Sequence, residues 1–415
     1  MRIILAAAVL AAPLAAASPA FAAPGDPIKV SDDLTIDPII DGRLRWEHVD
    51  QDNALKNADA VTMRLRAGAE FKMHNLSLLA EAQGTLAIDN DYNAFSFPSP
   101  SRQRRPAYSV VADPENVDLN RLQLQYKTKT VAVTIGRQRI NLDDQRWVGS
   151  VAWRQNEQTF DAVRGELNVG PVSFDGTYSI SQHTVFGVDA GPRRAYDGEF
   201  ILAGVGVKAG PVNIKGFAYV LDYQEAIVFA NSSQTYGVRA TTTLPLAGRA
   251  KLNLAGSYAR QSNYASNPHH YSADYIAAEA GVAVANLSVM AGYEKLGADN
   301  GWAVQTPMAT LHKFNGWADM FLTTPQTAAY AGLQDAYAGA AYKFTQVKAL
   351  PGLNAAVTYH RFDSDTGDKH YGNEWDASLG FKVRQFAVLA KYAGYQAKDF
   401  SVSTRKFWLE LDFAY

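Results

Sequence analysis

The 415-residue sequence contains no cysteine, which excludes disulfide bonds, thiolate metal ligands and cysteine nucleophiles. Beyond residue 22 it also lacks an apolar run of the roughly 18 residues that a transmembrane helix needs. A chain that spans a membrane without such helices must use a closed β-barrel, because only these two structures satisfy every backbone hydrogen bond in lipid.

An excess of charge of one sign is missing as well, because 39 Lys and Arg residues stand against 41 Asp and Glu residues. This balance argues against a nucleic-acid partner. The sequence shows no Gly-x-Ser-x-Gly elbow, no His-Glu-x-x-His pair and no phosphate-binding glycine loop. We therefore predict that the protein is not an enzyme and uses no cofactor. A hydrolase assembled from neighbouring strands stays open, since spacing alone does not exclude it.

The N-terminus has the pattern of a secretory signal peptide. Arg2 precedes an apolar, alanine-rich run at residues 3–17, and the small-residue triplet Ala-Phe-Ala follows at residues 20–22. We predict that residues 1–22 are cleaved and that residues 23–415 form one domain outside the cytoplasm.

A two-residue hydrophobic period dominates the rest of the chain. From Val61 to Met73, apolar side chains alternate with Thr, Arg, Gly, Glu and Lys, a pattern that no helix separates onto two faces. After a turn at residues 74–75 the alternation resumes from Leu76 to Ile88, which predicts a β-hairpin. About 18 such segments follow one another, each near the length of a strand that crosses a tilted barrel wall. The alternation is less clean at residues 197–223, and the register there is left open.

Short turns alternate with longer loops along the chain. The short turns lie near residues 74, 129, 170, 210, 246, 285, 349 and 385, and the longest loops are 90–117, 141–158 and 297–333. Outer-membrane barrels have this asymmetry, with short periplasmic turns and long extracellular loops. The sequence therefore predicts an all-β fold, a single antiparallel transmembrane β-barrel of about 18 strands. It would lie among the lipids of a Gram-negative outer membrane.

The C-terminal segment has the features of a barrel assembly signal. One apolar face consists of Phe407, Leu409, Leu411, Phe413 and the terminal Tyr415. This resembles the signal by which outer-membrane barrels are recognised, so we predict that residues 405–415 bind the barrel-assembly machinery. An ordinary edge strand that ends in tyrosine is the alternative.

A barrel of this size is wide enough for an aqueous lumen, whose inward residues would select the solute. The arginines at or beside the polar positions of their strands are Arg43, Arg45, Arg64, Arg66, Arg121, Arg137, Arg139, Arg164, Arg239, Arg260 and Arg384. Guanidinium groups keep their charge and bind carboxylates through two hydrogen bonds, which favours anionic solutes. The interleaved acids are Glu70, Glu81, Glu166, Glu374 and Asp376. Pairing between the two sets, which would merely fill the lumen, is the competing interpretation.

Two long segments resemble alginate-export-type outer-membrane proteins. The first reads GRQRINLDDQRWVG at residues 136–149 and WRQNEQTFDA at 153–162. The second reads QTP at 305–307, ATLHKFNGWAD at 309–319 and FLTTP at 321–325. With the strand pattern, the resemblance covers nearly the whole mature chain. It implies a monomeric 18-stranded barrel with an arginine-rich constriction, gated by loops, for an anionic uronate polymer.

The resemblance also indicates which residues line the constriction. Carried over position by position, these are Arg137, Arg139, Arg154 and Arg164, with Asp143, Asp144, Glu157 and Asp161 as the partners that orient them. Further pore-lining candidates are Arg64, Arg66 and Arg121. A purely structural role for these loop residues remains the alternative. No metal ligand is assigned, although a loop calcium site at residues 89–91 stays open.

The predicted function is an outer-membrane channel that passes anionic sugars or a uronate polysaccharide by electrostatic guidance. Its partners would be the anionic saccharide and, for export, a periplasmic scaffold. A substrate-specific porin that takes up small anionic solutes is the main alternative, because one sequence does not show the direction of transport. A closed barrel that serves as an adhesin or loop scaffold would conduct negligibly.

Overall fold

The computed structural model describes residues 27–414, so the predicted signal peptide and Tyr415 lie outside the described residues. In this range 18 antiparallel strands form one closed barrel, as the alternation predicted. The first nine are β1 (Leu34–Gln51), β2 (Ala58–Met73), β3 (Leu76–Asp91), β4 (Asn116–Lys127), β5 (Val131–Gln138), β6 (Thr159–Val169), β7 (Val172–His183), β8 (Ala195–Ala209) and β9 (Val212–Tyr223). The others are β10 (Ser233–Pro245), β11 (Lys251–Asn263), β12 (Ser272–Val284), β13 (Leu287–Leu296), β14 (Leu333–Lys343), β15 (Asn354–Asp363), β16 (His370–Val383), β17 (Phe386–Ala397) and β18 (Thr404–Ala414).

The barrel closes between its first and last strands. β1 pairs with β2 from Leu34 opposite Met73, and with β18 from Asp41 opposite Ala414 to Gln51 opposite Thr404. A short strand, Ile28–Lys29, adds two further pairs to β1. Closure leaves no barrel strand with an unpaired edge, as a bilayer requires.

Alternation along each strand places apolar side chains outside and polar ones inside. In β2, Met63 and Leu65 are 44% and 49% exposed, whereas Arg64 and Arg66, which alternate with them, are 2% and 5% exposed. The exposed side chains face outward, where lipid would contact them, and the buried arginines face the lumen. This separation follows from the two-residue period of a β-strand and requires no contact with residues distant in the sequence.

Exposed aromatic residues form two bands near the two ends of the wall. The band near the long loops contains Trp46, Tyr178, Tyr236, Tyr258, Tyr293, Trp375, Tyr392 and Phe407. The band near the short turns contains Phe71, Tyr126, Phe174 and Tyr342. Aromatic girdles of this kind lie at the two membrane interfaces of outer-membrane barrels, so the exterior agrees with the predicted location.

The connections sort by length as predicted. Turns of two residues join β2 to β3 and β6 to β7, and Gly170 begins the second of these turns with a φ of +57°. At the other end, residues 92–115, 139–158 and 297–332 form the longest loops. The loop at residues 297–332 contains a small hairpin, Ala298–Asp299 with Trp302–Ala303, and a 3-10 turn at Leu311–Lys313. Two more 3-10 turns, at Val188–Arg193 and Ala226–Asn231, lie in other outer loops. No helix within residues 27–414 is long and apolar enough to cross a membrane.

The irregular alternation at residues 197–223 has a structural cause. The lumen faces of β8 and β9 carry buried apolar residues, among them Phe200, Leu202, Phe217 and Tyr219. They belong to one apolar cluster with Val148 and other residues of the long loops. These two strands are therefore apolar on both faces, because a loop rather than water covers the inner one.

Candidate functional site in the barrel lumen

Residues 139–158, named loop A here, cross the lumen from one wall to the other. Near one wall, Arg43 of β1 donates hydrogen bonds to the carbonyl oxygens of Ala152 and Trp153 at 3.0 and 2.9 Å. Towards the opposite wall, Asp144 pairs with Arg239 of β10 at 2.9 Å. Loop A is thus held at both ends by charged wall residues.

Residues 297–332, named loop B here, meet loop A inside the barrel. The amide of Gly149 and the side-chain amide of Gln158 both donate to the carbonyl oxygen of Met308 at 2.8 Å. On its other side, the amide of Ala318 donates to Glu374 of β16 at 2.7 Å. The two loops form a single plug that is attached to most of the wall.

A buried lysine joins the two loops to the wall. The Lys391 ammonium of β17 lies 3.9 Å from the ring centroid of Trp153 in loop A and 3.6 Å from that of Trp317 in loop B. Its Nζ is also 2.7 Å from Nε2 of His312. Cation–π contacts of a desolvated ammonium are worth about 2 kcal/mol each, so this cage holds both loops in place.

The protonation of His312 agrees with this arrangement. Burial lowers the pKa of this loop residue well below its usual value, although the neighbouring Asp319 carboxylate opposes the shift. The imidazole is therefore neutral. Its Nδ1 then donates to Asp319 at 2.7 Å, while Nε2 accepts a hydrogen bond from Lys391.

Three predicted arginines converge on two glutamates, and these five residues are named the arginine cluster. Arg66 lies 2.6 Å from Glu157, and Arg139 pairs with both Glu157 and Glu81. Arg121 completes the cluster with a 2.7 Å bond to Glu81. Burial opposes ionisation of Glu157, a loop residue, but the charges of Arg139 and Arg66 outweigh it and lower the pKa to about 2.

Not every guanidinium nitrogen in this region has an acceptor. Arg64 pairs with Asp41, yet its Nε and Nη1 have no hydrogen-bond partner among the described residues. The same is true of Nη2 of Arg66. Buried donors of this kind are costly to leave without an acceptor, so these atoms are the ones in this region that most need a further hydrogen-bond partner.

Other predicted residues form separate pairs. Arg137 donates to both carboxylate oxygens of Asp161 at 2.9 and 3.0 Å, near the outer end of the barrel. Arg164 pairs with Glu166 of its own strand at 2.9 Å. Arg154 bridges Glu47 and Asp319 at 3.2 and 2.8 Å, and so fastens the loops together. The structure therefore does not gather these residues into one ring.

Some expectations need correction. Asp143 and Asp144 do not orient the predicted constriction arginines, because they pair with Lys215 and Arg239 of β9 and β10. Two of the arginines placed near polar strand positions also lie elsewhere. Arg260 shares the outward face of β11 with Tyr258 and is 3.4 Å from Asp274, and Arg384 lies in a short turn with a φ of +54°. Neither lines the lumen.

An acidic wall lies across the lumen from the arginine cluster. Glu294, Asp335, Glu374 and Asp376 are buried on β13 to β16, and Arg146 of loop A reaches Glu294 at 2.8 Å. Several of these acids line a cavity of about 50 Å³, which has room for only a few water molecules. The sequence pattern had placed Glu374 and Asp376 among the acids at polar strand positions, but it missed Glu294, Asp335 and Lys391 with its cage. A lone lysine on the inner face of an otherwise apolar strand was the available signal.

The fold resembles that of known outer-membrane porins. Pseudomonas aeruginosa OpdK, solved with vanillate, has a TM-score of 0.69 at 12% identity, over 91% of this chain and 98% of OpdK. Acinetobacter baumannii OccAB1 has a TM-score of 0.70 at 14% identity, over 92% and 96% of the two chains. P. aeruginosa OccK2, in complex with glucuronate, has a TM-score of 0.65 at 14% identity, over 91% and 98%. At such identities the likeness establishes the fold.

The chain is thus a β-barrel with the fold of outer-membrane porins. Its residues 40–180 match the alginate export family, and this segment contains the first of the two stretches that suggested the resemblance. No curated protein matches the sequence. The comparisons therefore establish the barrel fold and a match to this family over part of the chain.

Proposed function

We propose that this protein is an outer-membrane channel for anionic sugars, such as uronates, which pass along the arginine-bearing side of the lumen. The observation that carries the proposal is the set of buried guanidinium nitrogens on Arg64 and Arg66 without an acceptor among the described residues. Arg66 belongs to the arginine cluster and Arg64 precedes it on the same face of β2, so a carboxylate would find several donors in this region.

The distribution of charge across the lumen supports this path. Arginines are concentrated on β1 to β6, whereas the buried acids Glu294, Asp335, Glu374 and Asp376 lie on β13 to β16. An anion would be drawn to the first wall and repelled by the second. Since many of these arginines are already paired with carboxylates, the expected selectivity is moderate.

A salt gradient across a planar bilayer tests the proposal. The sign of the reversal potential of the wild-type channel should indicate a preference for anions, and added oligouronates should block the current. The variant Arg64→Gln with Arg66→Gln should lose much of both effects. The matched control, Arg249→Gln with Arg384→Gln, removes the same charge from two short turns and should behave like wild type. A cation-selective or silent wild-type channel would contradict the proposal.

Uptake of small anionic solutes is the second candidate. Loops A and B cross the lumen, and the cavity between loop B and the acidic wall has a volume of only about 50 Å³. A narrowed lumen suits a monomeric sugar acid better than a polymer in this conformation. Two porins of similar fold were solved with the small carboxylates vanillate and glucuronate. Flux into liposomes of glucuronate, compared with oligouronates of increasing length, distinguishes the two. Passage of glucuronate alone favours uptake, and passage of long chains favours polymer export.

A further inference from the structure

Two outer loops carry arginines that the lumen does not use. Residues 92–115 contain the segment Ser-Arg-Gln-Arg-Arg at 101–105, and residues 184–194 contain Pro-Arg-Arg at 192–194. Arg102, Arg104 and Arg105 of the first loop and Arg193 and Arg194 of the second are named the outer arginine patch. These residues are exposed or half-buried at the loop end of the barrel.

The two loops are packed into one unit. Phe97 and Phe186 meet edge to face with ring centroids 4.8 Å apart, and Ser99 donates to the carbonyl oxygen of Asp189 at 2.8 Å. Gly187 has a φ of +68°, and a Cβ there would lie 2.7 Å from the side chain of Asn116. Only glycine permits this close approach, so the arrangement of the loops is built into the sequence.

Two arginines of the patch converge on one phenylalanine. Arg104 donates to the carbonyl oxygen of Phe97 at 3.2 Å, and the guanidinium carbon of Arg193 lies 5.0 Å from the centroid of the Phe97 ring. Neither forms an ion pair with a carboxylate of residues 27–414, whereas Arg105 pairs with Asp91 at 3.1 Å. Two cations held near one another attract an anion that relieves their repulsion.

The patch leads into the lumen on the arginine side. Arg194 lines a small cavity of about 20 Å³ together with Arg137, His183 and Glu157. Glu157 belongs to the arginine cluster, so this cavity lies between the patch and the candidate path, although Asp118, 3.7 Å from Arg194, also lines it. A site for lipid phosphates would instead be expected on the outward wall near the aromatic band.

We propose that the outer arginine patch is a docking site for an anionic saccharide at the mouth of the channel, with a carboxylate bound between Arg104 and Arg193. That this saccharide is also the transported solute rests on the proposed function. That the patch binds the saccharide does not. Docking would raise the local concentration of the saccharide above the lumen and so raise its rate of entry.

The first test measures equilibrium binding of a short oligouronate to the purified full-length protein in detergent. Arg104→Gln with Arg193→Gln should weaken binding about tenfold at low salt, and less at high salt because ions screen exposed charges. Arg249→Gln with Arg384→Gln should bind like wild type. Arg104→Lys with Arg193→Lys keeps the charge but not the two-point geometry, and should give an intermediate affinity. A neutral maltodextrin should bind none of the proteins.

The second test uses the side of addition in a planar bilayer. Oligouronate added to the loop side should block the Arg104→Gln, Arg193→Gln channel with an association rate about tenfold lower than wild type. Addition to the turn side should give equal rates for both proteins. Equal rates from the loop side would overturn the docking proposal.

The outcomes separate the two proposals. Binding that depends on the patch in a channel without anion passage would support the docking site and contradict the proposed function. Anion passage through the wild-type channel, together with unaltered binding in the Arg104→Gln, Arg193→Gln variant, would support the proposed function and contradict the docking site. If the double variant loses binding to vesicles that contain lipid A but keeps binding to oligouronate, the patch recognises lipid phosphates and the docking proposal is wrong.

Discussion

Glu157 controls how much positive charge the arginine cluster presents to the lumen. It accepts from Arg66 and Arg139 and also from the side-chain amide of Asn120 at 3.0 Å. The alternation of apolar and polar residues in the sequence placed Arg64 and Arg66 on the inner face of β2, where the structure has them. It did not reveal which carboxylates neutralise them, although this decides how they act on a solute.

We expect Glu157→Gln to increase anion preference. The substitution keeps the shape of the side chain but leaves Arg66 and Arg139 without their shared carboxylate, so the local potential becomes more positive. The reversal potential in a salt gradient measures the change. Glu199→Gln removes the same charge from the outward face of β8 and serves as the control. An unchanged reversal potential in Glu157→Gln would show that the cluster lies away from the ion path.

The same residue should make stability depend on pH. The pKa of Glu157 is about 2 in the folded protein, below its ordinary value of 4.5, so ionised Glu157 stabilises the fold. This contribution, on the order of 3 kcal/mol, is complete above pH 4.5 and is lost as the pH falls towards 2. Denaturant unfolding in detergent should show a smaller loss of stability over this window in Glu157→Gln than in wild type. Equal losses would mean that other carboxylates dominate acid unfolding.

Loops A and B act as one element, although more than 100 residues separate them in the chain. Arg154, the Lys391 cage and the pairing of Gly149 with Met308 connect them at different points. We expect a sugar-sized solute to pass beside loop B only when these contacts break or shift, because the cavity there has a volume of about 50 Å³. We therefore expect the strength of the junction between the loops to determine how often the lumen widens.

A disulfide between the loops should keep the lumen narrow. Val148 and Met308 form a parallel β-bridge, and neighbouring strands lie about 5 Å apart, which is within the range of Cα distances that a disulfide spans. Since the chain has no cysteine, Val148→Cys with Met308→Cys introduces a single defined pair. We expect lower oligouronate flux under oxidising conditions and recovery on reduction. Each single variant is the control, and equal flux in both redox states would show that solutes pass without separation of the loops.

At the scale of the whole molecule, stability in the membrane depends on closure. The pairing of β1 with β18 joins residues more than 350 positions apart, and the short strand at Ile28–Lys29 lies outside this seam. The apolar face of β18 also carries the predicted assembly signal. We therefore expect closure and recognition by the assembly machinery to depend on the same segment.

Removal of residues 404–415 should abolish barrel assembly. Without β18, β1 and β17 would expose unpaired backbone groups to lipid, which the bilayer does not tolerate. We expect no heat-modifiable band on gels and no outer-membrane insertion. Deletion of residues 27–30, which removes only Ile28–Lys29 and its neighbours, should leave assembly intact. A folded barrel after the C-terminal deletion would show that closure can occur by a different strand pairing.

The sequence alone determined the strands, their inward and outward faces and the order of short and long connections. These properties depend on neighbouring residues, because a strand's period of two and the length of a turn are local. The alternation around Arg64, for example, already separates a lipid-facing side from a lumen side. From about 18 such segments of matching length, a closed barrel follows.

Only the tertiary structure decided what fills the barrel. Arg43 pairs with Asp412 at 2.7 Å, Asp144 pairs with Arg239, and Lys391 is enclosed by tryptophans from both loops. The apolar inner faces of β8 and β9 likewise make sense only with loop A against them. These contacts join residues far apart in the chain, and the geometry that brings them together exists only after the barrel closes and its long loops fold inward.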